Sequence, residues 1–94
     1  MERAEAKAIL KQEIARFREK SYADLIALVE QSDGFDVTGP SGKVYVLDVS
    51  AVWDGNHSGN VRLLLAIDDG SWRTTFSPLT DDFIMTADGL FIGE

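Results

Sequence analysis

The sequence contains no cysteine and only one histidine among its 94 residues. The absence of cysteine excludes a disulfide framework, a thiolate nucleophile and a zinc site with sulfur ligands. A chain without disulfides suits a reducing compartment, and we expect a cytoplasmic protein. The single histidine, His57, leaves little imidazole for general-base catalysis or metal ligation.

Long hydrophobic runs are also missing. The most apolar stretch, residues 61–67, is interrupted by Arg62 and is far shorter than the roughly 20 residues that span a bilayer. The N-terminus is charged from Glu2 and lacks the apolar segment of a signal peptide. The sequence therefore predicts a soluble protein that neither enters a membrane nor follows the standard export route.

Basic residues are scarce after residue 20. Residues 1–20 carry six basic and four acidic side chains, whereas residues 21–94 carry three basic and twelve acidic ones. The two segments thus have charges of +2 and −9, and the chain has a net charge of −7. An acidic body repels phosphate, so we do not expect binding to nucleic acid.

The first third of the chain has helical periodicity. Strong helix formers fill residues 2–20, and Ala6, Leu10, Ile14 and Phe17 form one apolar stripe. Ser21, with Asp24 three residues later, resembles a capping box that begins a second helix over residues 21–31. Ser32-Asp33-Gly34 then predicts its end.

After Gly34 the apolar residues alternate with polar ones, as in strands. The longest predicted strand, Val44–Trp53, has its more apolar face at Tyr45, Leu47, Val49, Ala51 and Trp53, which we expect to take the helices. Residues 61–67 are apolar on both faces, which predicts a central strand. The remaining predicted strands are Phe35–Val37, Trp72–Phe76, Phe83–Met85 and Leu90–Ile92, with a tight hairpin turn at Asp69-Gly70.

These patterns predict an α+β fold in a single domain, residues 1–94. Two N-terminal helices, about 2–20 and 21–31, are expected to pack on one face of an antiparallel meander of about four to six strands. No internal repeat, linker or low-complexity segment divides the chain.

Clustered carboxylates permit a divalent-metal site as one hypothesis. Asp68, Asp69, Asp81 and Asp82 could supply oxygen ligands for Ca²⁺ or Mg²⁺. The alternative is structural: Asp69-Gly70 forms a turn, and Thr80, Asp81 and Asp82 cap the backbone after Pro78.

The loop at residues 54–60 gives a second metal candidate. Asp54 and Asn56 begin a D-x-N-x-S-G motif typical of calcium loops. The twelfth position, where such loops carry a bidentate glutamate, is Leu65. A simple hairpin loop, whose Gly and Asn residues accept positive φ, is the competing interpretation.

No catalytic residues and no cofactor site are expected. His57 and Ser58 are neighbours in a glycine-rich loop, where nothing in the sequence orients a base. Trp72 and Arg73, with Asp81 and Asp82, are the candidates for a protein-interaction surface, since Trp and Arg are enriched at binding hot spots.

Several segments together resemble a family of small bacterial proteins that has no assigned function. They are Trp53-Asp54 and residues 59–62, 67–73, 78–84 and 89–94, including IDDGSWR, PLTDDFI and GLFIGE. The resemblance covers about residues 21–94. It implies a self-contained small domain and adds no site.

The sequence thus favours a non-catalytic protein-interaction module, of which an acidic inhibitor or immunity-type protein is one version. The alternative is a Ca²⁺- or Mg²⁺-dependent binding protein that uses the aspartate clusters; a small enzyme that uses His57 is a third class. We expect a protein partner, no nucleic acid, no membrane, and a monomer or weak homodimer.

Overall fold

The computed structural model describes residues 3–69 and 79–92. Two helices precede five strands, which form one antiparallel sheet in the order β1-β2-β3-β4-β5. The α+β fold with N-terminal helices on a meander sheet is confirmed. The elements are α1 (Arg3–Arg18), α2 (Tyr22–Glu30), β1 (Asp33–Thr38), β2 (Val44–Asp54), β3 (Asn60–Asp68), β4 (Leu79–Met85) and β5 (Phe91–Ile92).

Both helices form where the sequence predicts them. The buried residues of α1 include Ala6, Leu10 and Ile14, which lie on one stripe at helical spacing. Ser21 caps α2, because its hydroxyl accepts a hydrogen bond of 3.1 Å from the backbone N–H of Asp24. Within the described ranges, no helix is long and apolar enough to cross a membrane.

The core lies between the helices and one face of the sheet. Successive strand residues point to opposite faces, so the buried residues of β2 and β3 alternate along each strand. The face predicted to take the helices does so, and β3 is the central strand, as expected. The buried residues that β2, β3 and β4 contribute to the core are Tyr45, Leu47, Val49, Ala51, Val61, Leu63, Leu65, Ile67, Phe83 and Met85.

The strand that pairs with β3 on the side away from β2 differs from the prediction. The strand expected beside β3 was Trp72–Phe76, but β3 pairs with β4 from Val61↔Met85 to Ile67↔Leu79. The predicted turn at Asp69-Gly70 includes Gly70, which is not among the described residues. The predicted strand Trp72–Phe76 lies outside the described residues.

Thr80, Asp81 and Asp82 were expected to cap the backbone after Pro78; Asp81 Oδ1 does accept the backbone N–H of Asp82 at 2.8 Å, but from within a strand. All three residues belong to β4, which begins at Leu79. Asp81 occupies the helix-facing position between Leu79 and Phe83, where an apolar residue would be expected. This carboxylate interrupts the hydrophobic alternation and explains why the pattern predicted only Phe83–Met85.

Helix α1 is tied to the β1–β2 hairpin by Glu5. Its carboxylate accepts hydrogen bonds from the backbone N–H and the hydroxyl of Ser41, at 2.9 and 2.7 Å, and from Tyr45 Oη at 2.8 Å. These bonds, led by that of the Ser41 hydroxyl, lower the pKa of Glu5. The contact fixes α1 on one face of the sheet.

Candidate functional site

The helices lie on one side of the sheet only, and the other side combines exposed apolar and acidic side chains. Val44, Val46, Val52 and Leu64 are 48, 37, 45 and 36% exposed. They alternate with the buried residues of β2 and β3, and therefore lie on the side away from the helices. We call this side the open face; its described side chains include Asp36, Val44, Val46, Asp48, Val52, Asp54, Arg62, Leu64 and Asp82.

Aspartates are placed among these apolar residues by the strand register. Asp36 lies opposite Val46, and Asp82 lies opposite Leu64. Asp48 lies between Gly34 and Ala66 on the neighbouring strands. Exposed apolar side chains that lie together among polar ones mark a candidate interaction surface.

One cation neutralises part of the open face. Arg62 Nη1 bonds to Asp82 Oδ2, and Arg62 Nη2 lies 3.5 Å from Asp54 Oδ1. The hydrogen bond to Asp82 is the main cause that raises the pKa of Arg62. Asp54 and Asp82, separate metal candidates in the sequence, are thus brought together, with a guanidinium held between them.

The other aspartate candidates do not gather into one cluster. Asp81 and Asp82 are successive residues of β4 and point to opposite faces of the sheet, and Asp81 Oδ1 accepts the N–H of Asp82 at 2.8 Å. Asp69 lies 3.7 Å from Lys43 Nζ, and Asp68 ends β3 opposite Val46. Among the residues that the structure describes, no group of three His, Cys, Asp or Glu side chains is placed to hold a metal ion.

The β2–β3 loop holds His57 at an exposed position. Its ring lies 4.8 Å from the ring of Trp53, and its Nδ1 is 3.0 Å from Ser58 Oγ. Ser58 has a φ of 65°, which helps the loop to close. The hydroxyl of Tyr22 donates to the Gly59 carbonyl at 2.7 Å and fixes the loop to α2. This arrangement covers Trp53, and Asn56 accepts the N–H of Gly59 through its backbone carbonyl.

A cleft of about 420 Å³ lies on the helix side of the sheet. Apolar residues from four elements line it, and charged residues of both signs surround them. This size lies within the range of ligand pockets. The lining residues are Phe17, Leu28, Phe35 and Val49, with Arg16, Lys20, Asp24 and Asp33.

The remaining interaction candidates, Trp72 and Arg73, lie outside the described residues. The open-face residues Asp36, Asp48 and Leu64 were not singled out from the sequence. A signal was present, since the second face of Val44–Trp53 contains three valines beside Asp48 and Ser50. A strand face exposed to water is normally more polar than this.

No family model, curated protein or solved structure matches this chain. The described residues define a class by architecture alone: a small α+β domain with a sheet face free of helices that is both apolar and acidic.

Proposed function

We propose that this chain is a non-catalytic module that binds a basic protein through its open face. The observation that carries the proposal is the combination of exposed valines and Leu64 with Asp36, Asp48 and Asp82 on one side of the sheet. Apolar contact would supply affinity, and the aspartates would select a partner with Lys and Arg side chains.

The charge distribution supports a cationic partner. Arg62 is bonded to two of the open-face aspartates, whereas Asp36 and Asp48 are exposed and belong to the −9 segment of the chain. A surface of one sign accelerates encounter with a partner of opposite sign, and the acceleration falls with ionic strength. An inhibitor or immunity-type protein that blocks a cationic enzyme, such as a nuclease, is one version of this function.

Affinity capture with the full chain tests the proposal. The immobilised protein is exposed to a lysate of its source organism at about 0.05 M and about 0.5 M NaCl, a range over which the screening length falls severalfold. We expect capture of a protein with a basic surface at low salt and its release at high salt.

Matched charge reversals show whether the open face is responsible. Asp48→Lys changes a charge on the open face, and Glu30→Lys makes the same change on an exposed position of α2. Capture should be lost with Asp48→Lys and retained with Glu30→Lys. Capture that is indifferent to salt, or equal in the two variants, would contradict the proposal.

A further inference from the structure

Strand β1 is an edge of the sheet, and its outer side carries backbone groups that do not pair with β2; of these, the N–H of Gly34 donates to Asp33 Oδ1 at 2.9 Å. Within the described residues, β1 pairs with β2 alone. The N–H of Gly39 donates to the Lys43 carbonyl at 2.8 Å, which makes Gly39↔Lys43 a hydrogen-bonded pair. Such pairs alternate along an antiparallel ladder, so the N–H and C=O groups of Gly34, Asp36 and Thr38 point away from β2.

The cleft lies beside this edge, on the helix side. Phe35 of β1 is half-buried, and its ring lies 6.4 Å from the ring of Phe17 in α1. The helices contact mainly the middle strands, so they leave the inner side of β1 partly open. Arg16, at the cleft margin, is already paired with Glu13 at 2.6 Å, and the apolar lining by Phe17, Leu28 and Phe35 suits an apolar side chain.

The two sides of the edge therefore favour different side chains. A strand added to β1 would send alternate residues toward the cleft and the others toward the open face. On the open face those residues would lie beside Asp36, with Asp48 one strand further on. A segment complementary to this edge is therefore an extended strand in which apolar residues, facing the cleft, alternate with Lys or Arg residues, facing Asp36.

A second copy of the chain fits this edge poorly. Antiparallel pairing of two β1 strands would bring the exposed Asp36 carboxylates of both copies close together on the same face. Like charges on adjacent strands repel, and on the open face of the described residues the one cation, Arg62, lies on β3 rather than beside Asp36. The chemistry of the edge points to a cationic partner.

We propose that the free edge of β1 binds an extended cationic segment of the partner as an additional antiparallel strand. Apolar side chains of that segment enter the cleft, and its Lys or Arg side chains lie beside Asp36. The inference rests on the proposed function and specifies its mode of recognition, in which backbone hydrogen bonds add to the affinity from apolar contact and alternate side chains give specificity.

A synthetic peptide of about eight residues, in which valine and lysine alternate, is the probe. In the antiparallel pairing, the peptide residues opposite Gly34, Asp36 and Thr38 have their side chains on the open face, and these are the lysines. Because the backbone groups of those three β1 residues point outward, the N–H groups of the lysines opposite them point at β1. A peptide N-methylated at its lysines should bind at least about tenfold more weakly, because several backbone bonds are lost. The same peptide N-methylated at its valines should bind like the parent.

Substitutions at Asp36 test the protein side of the same pairing. Asp36→Asn keeps the N–H and removes the charge, and should weaken binding about threefold and reduce its salt dependence. Asp36→Pro also removes the outward N–H, which edge strands tolerate, and should weaken binding at least about tenfold further. Circular dichroism of both variants checks the fold, and the methylated peptides test the pairing on the unaltered protein.

Equal binding of the two methylated peptides, or no binding of the parent at about 1 mM, would overturn strand addition. Loss of binding with the valine-methylated peptide alone would overturn the antiparallel arrangement. Neither result affects the capture experiment, whose dependence on salt and on Asp48 decides the proposed function by itself.

Discussion

Glu5 shows how one carboxylate can determine where a helix sits. It accepts three hydrogen bonds from Ser41 and Tyr45, which lie 36 and 40 residues away in the sequence. These bonds favour the ionised form and lower the pKa of Glu5. Because the folded value lies below the ordinary 4.5, the stabilisation is complete above pH 4.5 and is lost as the pH falls through the folded pKa.

Glu5→Gln should therefore lower the urea midpoint of unfolding at neutral pH. Its amide donates where the carboxylate accepts, so at least one of the three bonds is lost. The difference from the original protein should shrink below pH 4.5, as protonation removes the same bonds. Urea titrations at about pH 7 and about pH 3 measure it, and a difference that does not change with pH would contradict the assignment.

A substitution at Gly39 would perturb the same Glu5 hydrogen bonds in a different way. A Cβ at this position would lie 2.7 Å from Glu5 Cδ and 2.8 Å from its Oε1. Gly39→Ala is therefore a control that displaces the carboxylate, and in the Glu5→Gln background it should cost less than alone.

Local contacts at the residue scale could be predicted from the sequence, and distant ones could not. The cap of Ser21 on Asp24 is encoded by a spacing of three residues, and the prediction is confirmed. Glu5 gives only the signal of an acid near a helix N-terminus. Its partners depend on how α1 crosses the sheet, which no local pattern contains.

At the scale of elements, periodicity predicted the helices, β2 and β3 because apolar residues repeat without interruption on their buried faces. It missed the first half of β4, where Asp81 occupies a helix-facing position. The edge position of β1 follows from the predicted meander, because the first strand of a meander lies at one end of the sheet, and the strand order confirms it.

Adjacent leucines of β3 test the two faces of the sheet. Leu63 is 0% exposed on the helix side, whereas Leu64 is 36% exposed on the open face. Leu63→Ala should lower the free energy of unfolding by about 2–5 kcal/mol, because it leaves a cavity in the core. Leu64→Ala makes the same chemical change and should cost less than about 1 kcal/mol.

Chemical denaturation of both variants measures this difference. A similar loss in the two would mean that both faces of β3 are packed equally, and would remove the apolar part of the proposed binding surface. If Leu64→Ala is mild but weakens capture of the partner, its side chain acts in binding.

For the whole molecule, the charge imbalance was visible in the sequence but its arrangement was not. Residues 21–94 carry a charge of −9 whatever fold they adopt. The register of β1 on β2 places Asp36 and Asp48 on the same face as Val44 and Val46. The candidate site therefore arises from strand pairing, and the sequence separately suggested Asp54 and Asp82, which Arg62 joins.

The same arrangement predicts how self-association depends on salt. Two open faces in contact would bring aspartates of like charge together, so we expect a monomer at about 0.05 M NaCl. At about 1 M NaCl, where the screening length is about 3 Å, the exposed valines and Leu64 should permit weak dimers. The double substitution Asp36→Asn, Asp48→Asn should produce dimers at lower salt, whereas Glu19→Gln, Glu30→Gln removes equal charge from exposed positions just after α1 and at the end of α2. Sedimentation equilibrium measures the difference, and equal behaviour of the two double variants would show that net charge, not the open face, controls association.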